Sequence, residues 1–144
     1  MVKKIFAVLV CFIGLIIFVS TLHGQSSKKT ITLPNGEVVC DINGEWDALY
    51  EHFGAYSWVG NLTDMLKITQ QGGSFVGVKM IGTPYVPKDA VSIKGELDKN
   101  GIKTVRVMFS LGGPGTECKG QISEDGNKII IDGGETVRLT LTRK

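Results

Sequence analysis

The chain has 144 residues, 42% of them hydrophobic and 21% charged, with 16 Lys and Arg against 14 Asp and Glu. That length suffices for one domain with a real core and is too short for two. The near balance of charge, with no basic block longer than Lys28-Lys29 in the body of the chain, excludes the electrostatic footprint of a nucleic-acid binder.

Residues 1–24 read as a secretory signal. Lys3-Lys4 is followed by an apolar run from Ile5 to Val19 and then by small and polar residues up to Gly24. Cleavage after Gly24 leaves 120 residues and removes Lys3 and Lys4, so 14 basic residues then face 14 acidic ones. The expected location is secreted or periplasmic. An uncleaved signal is the one route to a membrane, because Ile5 to Leu22 approaches the ~20 apolar residues that span a bilayer. Residues 25–36 read as a flexible segment and 37–144 as a single domain.

Beyond Asn43 the pattern is alternation and β-branching, cut by glycine-rich turns at regular spacing, and no window sustains a helical period. Strands are predicted at 45–53, 64–71, 74–82, 90–98, 102–110, 116–123, 127–132 and 136–143. The turns Gln71-Gly72-Gly73, Asp98 to Gly101, Glu124 to Asn127 and Asp132 to Glu135 suit tight hairpins. The expected fold is therefore all-β, an eight-stranded antiparallel up-and-down barrel. Glu37 to Ile42, before Asn43-Gly44, suggests an additional N-terminal strand entering the first long strand by a hairpin.

Alternating strand direction puts the short turns at 71–73, 98–101 and 124–127 at one end. The longer connections 54–63, 83–89 and 111–115 then form an open rim carrying Tyr56, Trp58 and Tyr85, and barrel mouths are favoured ligand sites. On the first long strand, Trp46, Ala48, Tyr50 and His52 share the inward face. Inward sets elsewhere are Leu66 and Ile68; Val91, Ile93, Gly95 and Leu97; Val105, Val107 and Phe109; Ile122; Ile129 and Ile131; Val137, Leu139 and Leu141. For strand 74–82 two registers are open, one with Phe75 and Gly77 inward and one with Val76, Val78 and Met80, because a one-residue slip reverses the faces. A filled core and a ligand cavity are both compatible with this list.

Gly44-Glu45-Trp46 at the start of the first long strand, the hairpin Leu66 to Gly77 and the last strand Val137 to Arg143 resemble the calycin barrels, which include the lipocalins. The resemblance implies that Trp46 packs across the closed end and that Arg143, or Arg138, covers it. The expected function is binding of a small apolar ligand in the interior, entering past Trp58 and Tyr85, with Phe109 on the inward face and Tyr50 or Arg106 as polar orienters. Biotin is not expected, since only Trp46 and Trp58 are present.

The motifs that could carry chemistry read as structural. Ser110-Leu-Gly-Gly-Pro-Gly-Thr-Glu-Cys-Lys-Gly-Gln121 lacks the Gly-Lys-Ser/Thr ending and following helix of a phosphate loop. Cys118 as a nucleophile has Lys119 on the opposite strand face. His52 has no serine placed by a nucleophile elbow. Asp41 to Asp47 lacks the sixth-position glycine of a calcium loop. No enzyme activity, cofactor or metal is expected, and the alternative function is a protein-interaction module, an inhibitor or envelope-assembly factor, using the rim loops. Cys40 and Cys118 are candidates for a disulfide worth about 4 kcal/mol. The up-and-down topology sets them toward opposite ends, so a different N-terminal path or two free thiols stand as the choices.

Overall fold

The computed structural model describes residues 28–144; the signal reading and the first residues of the 25–36 segment lie outside the described residues. The elements in chain order are β1 (Thr30–Thr32), β2 (Val38–Cys40), β3 (Gly44–His52), a 3-10 helix (Gly54–Val59), β4 (Leu62–Gln71), β5 (Ser74–Lys79), β6 (Val91–Asp98), β7 (Gly101–Val107), β8 (Thr116–Ile122), β9 (Lys128–Asp132) and β10 (Val137–Arg143). Strands β3 to β10 pair in chain order and close into an antiparallel up-and-down barrel. Closure comes from β10 lying along β3, from Val137 opposite His52 to Arg143 opposite Trp46. Every long strand then has a neighbour on both edges, so no ladder is left unpaired. The tight turn after β4 relies on Gly72, whose φ of 59° only glycine adopts freely.

The inward faces follow the alternation, with one strand decided and one residue reversed. On β5, Phe75, Gly77 and Lys79 point inward while Val76 stays 39% exposed. Two inward glycines make that register fit. A Cβ on Gly77 would stand 2.6 Å from Ile93 Cγ1, and one on Gly95 would collide with the Phe75 ring and the Thr104 carbonyl oxygen. Between Gly77 and Val78 the pairing with β6 slips by one, so Gly77 opposes Ile93 and Val78 opposes Val91. The bulge turns Ser92 inward and Val91 outward, which corrects the expected inward placement of Val91.

The N-terminal strand exists but pairs differently from expectation. β2 runs antiparallel to β1, Thr30 opposite Cys40, rather than to β3. Part of the segment read as flexible is thus a strand, and the β1–β2 hairpin caps the closed end. Val39, Cys40 and Ile42 are buried there in the main core. Gln70 ties the cap down. Its side-chain oxygen accepts from the Ile42 N–H at 2.8 Å, and its amide donates to the Cys40 carbonyl at 3.0 Å and the Gly72 carbonyl at 2.9 Å.

Trp46, fully buried, donates its indole N–H to the Ile42 carbonyl at 3.0 Å. The Arg143 guanidinium lies 4.4 Å from the Trp46 ring centre and donates to the carbonyls of Asn43 and Asp41 at 2.8 Å each. Planar fork, ring face and two carbonyls together require an arginine at this position. Arg143→Ala should therefore destabilise the protein by roughly 3 kcal/mol, about the worth of two charge-assisted hydrogen bonds with the stacking lost, read as a lowered urea midpoint.

Candidate functional site

At the open end the barrel keeps a cavity of about 490 Å³. The 3-10 helix brings Tyr56 and Trp58 over one side of the mouth, the 80–90 loop brings Tyr85, and the strand ends contribute His52, Phe109 and Val137. Trp58 and Tyr85 meet edge to face, ring centres 6.5 Å apart at 89°, an arrangement the ring quadrupoles favour. Of the residues expected to bind a ligand, Trp58, Tyr85 and Phe109 line this cavity. Tyr50 and Arg106 do not.

Arg106 lies exposed on the outer face of β7, between Lys94 and Glu117. Its neighbours Val105 and Val107 take the inward positions, so alternation alone sends its side chain to solvent. Tyr50 faces inward two residues before His52 but is buried and already bonded, its hydroxyl 2.7 Å from Ser92 Oγ and accepting from Lys79 Nζ at 3.1 Å. Lys79 also donates to Asp64 Oδ2 at 2.9 Å, and its ammonium sits 4.3 Å from the centre of the Tyr50 ring.

Both members of this ion pair are withdrawn from water, with side chains 2% and 0% exposed for Lys79 and Asp64. Asp64 gathers further donors from the chain itself. Its Oδ1 accepts from the Met65 N–H at 2.6 Å and the Ile81 N–H at 3.1 Å, and the Gly82 N–H reaches both carboxylate oxygens. Burial pushes the Asp64 carboxyl up, but the hydrogen bonds from Lys79, Met65 and Gly82 together with the lysine charge outweigh it, so the group titrates below the ordinary carboxylate range. Through Ile81 and Gly82 the same carboxylate fixes the start of the loop that presents Tyr85. The polar network is satisfied within itself and acts on the mouth as a support.

Sequence reasoning missed this network because Lys79 reads as a solvent-facing strand residue until the β5 register is known. Asp64 gave a faint signal, alternating in phase with Leu66 and Ile68.

Cys40 and Cys118 are free thiols, which corrects the expected disulfide. Cys40 belongs to the closed-end cap, where its sulfur lies 3.7 Å from the place of a Cβ on Gly126. Cys118 is four residues from the closed end of β8, about 13 Å of strand, whereas a bridge needs Cα atoms within about 7 Å. Burial pushes both thiols up, with Asp41 beside Cys40 and Asp132 beside Cys118 adding to it, and Lys28 and Arg143 only partly offsetting it at Cys40. Neither is set up as a thiolate nucleophile. The Gly112 to Gly115 stretch stands outside the mouth cavity, and Gly112 and Gly113, with Ser110 and Leu111, line a separate groove against Val76 and Val91.

Among the described residues, no three His, Cys, Asp or Glu side chains group as metal ligands. No family model, curated protein or solved structure matches the chain.

Three outcomes follow for stability. Asp64→Ala strands a buried ammonium and should cost about 3–5 kcal/mol, whereas Asp64→Leu combined with Lys79→Met should recover most of that loss. Because the folded-state pKa of Asp64 is depressed, its contribution is present above the unfolded value of about 3.9 and is lost as pH falls through the folded value, so the melting temperature of the native chain should drop in that acid range. Asp64→Asn should flatten that part of the profile, as measured by calorimetry. With free thiols, a reducing agent should leave the melting temperature unchanged; a drop equivalent to about 4 kcal/mol would instead reveal a bridge.

Proposed function

We propose that this protein is a non-enzymatic, secreted or periplasmic barrel of calycin type that takes up a small, mainly apolar ligand at its open end. The observation that carries the reading is the cavity of about 490 Å³ at the mouth, walled by the aromatic rings of Tyr56, Trp58, Tyr85 and Phe109. The closed half of the barrel is filled by Trp46, Leu66, Ile68, Phe75 and Ile93, so a ligand would sit at the rim and not traverse the interior. Burying about 200 Å² of apolar ligand surface there would supply roughly 5 kcal/mol before the costs of association. The Arg143 and Trp46 stack at the opposite end supports the calycin reading.

The rim also favours a second reading. Trp58, Leu111 and Ile81 are 72%, 70% and 62% exposed, large apolar side chains of the kind that anchor a protein partner, as an inhibitor or envelope-assembly factor would use. Ile81 and Leu111 do not line the cavity, so the two readings separate by mutation.

Mass spectrometry of an organic extract of natively purified protein should find a small apolar molecule, and Trp58→Ala and Tyr85→Ala should each weaken binding of a lipophilic fluorophore about tenfold. Failure of the native protein to retain or bind any such molecule would overturn the ligand reading. Loss of a captured protein partner in Ile81→Ser and Leu111→Ser, with fluorophore binding intact, would favour the second.

A further inference from the structure

We infer that the ligand of the mouth cavity is neutral and carries a hydroxyl, as an alcohol or phenol on an apolar body, and is not a carboxylate; this rests on the ligand-binding reading above. The inference comes from the direction of the hydrogen bonds already made by the cavity wall. His52 Nδ1 lies 2.7 Å from the Gly60 carbonyl oxygen. A carbonyl can only accept, so Nδ1 carries the proton, and in the neutral ring Nε2 is then a lone-pair acceptor. Among the described residues Nε2 has no hydrogen-bond partner, yet no buried side-chain nitrogen or oxygen is left unsatisfied, so Nε2 is open to solvent or ligand.

Thr136 repeats the pattern. Its hydroxyl donates to the Gly133 carbonyl at 3.0 Å, which leaves its oxygen lone pairs as the free valence. Of the remaining polar groups of the wall, the hydroxyls of Thr116, Tyr56 and Tyr85 can rotate to donate or accept, and the Trp58 indole N–H can only donate. The free valences of His52 and Thr136 are therefore acceptors in need of a donor, and the Trp58 N–H needs an acceptor; a hydroxyl is both.

No Lys or Arg lines the cavity to balance an anion. The one buried ammonium, Lys79, is engaged with Asp64 and Tyr50. A carboxylate, which only accepts, would face the His52 and Thr136 lone pairs, would find no lysine or arginine beside its charge, and would lose its hydration. A hydroxyl supplies the donor that both groups lack, and the aromatic wall takes the apolar body.

Titration calorimetry at about pH 8 tests this with naphthalene, naphthol and naphthoate as probes of one shape. Naphthol should bind about fivefold to tenfold tighter than naphthalene, the worth of one ordinary hydrogen bond, and naphthoate weakest. His52→Phe and Thr136→Val should each pull the naphthol-to-naphthalene ratio toward one; the second is nearly isosteric and serves if the first fails to fold. Naphthoate binding as tightly as naphthol, or a ratio unmoved by both substitutions, would overturn the inference while leaving the ligand-binding reading in place. Failure of all three probes to bind the native protein would overturn both.

Discussion

The ion pair between Lys79 and Asp64 sets the terms for the upper barrel. A lysine ammonium 2% exposed is tolerable only with its charge balanced and its protons placed, and Asp64, Tyr50 and, through Tyr50, Ser92 meet that demand. The pair spans the neighbouring strands β4 and β5, so it also selects between the two registers that the Gln71-Gly72-Gly73 turn would allow. With Lys79 turned outward, Asp64 would be a lone buried charge. The same carboxylate collects backbone N–H groups from Ile81 and Gly82, and in this way an interior charge decides where the chain leaves β5 and where Tyr85 stands.

The barrel is consequently divided. Toward the closed end, Phe75 is accommodated by Gly77 and Gly95, and aliphatic side chains from β4, β6, β7, β9 and β10 fill the remaining space. Toward the open end, the 3-10 helix and the 80–90 loop stand over the strand ends without filling the space between them. The question of a filled or an empty interior has a different answer at each end: side chains fill the closed half, and the cavity of about 490 Å³ lies at the rim.

Much of this could be read in the residues. Glycine-rich turns bracket alternating segments, and connections too short for a parallel crossover leave antiparallel strands little choice but to pair in order, so the eight long strands and the closed barrel were legible. Strand direction put Trp58 and Tyr85 at one rim, and alternation turned Phe109 inward beside Val105 and Val107. What escaped depends on single-residue displacements. The bulge at Gly77 and Val78 reversed Val91, and it leaves no mark in composition. The pairing of β1 with β2 was hidden because three residues on each side give too short a pattern to choose a partner. The disulfide expectation took two cysteines in an exported chain as a pair, whereas their heights along the barrel keep them apart. The direction of the His52 hydrogen bond could not have been read at all, since it depends on where the Gly60 carbonyl comes to rest after the helix.

The N-terminal hairpin has a bearing on orientation. Lys28 lies against Gly126, in the turn between β8 and β9 at the closed end, and β1 begins two residues later. The described chain thus starts at the pole opposite the mouth, with the whole height of the barrel between the hairpin and the aromatic opening.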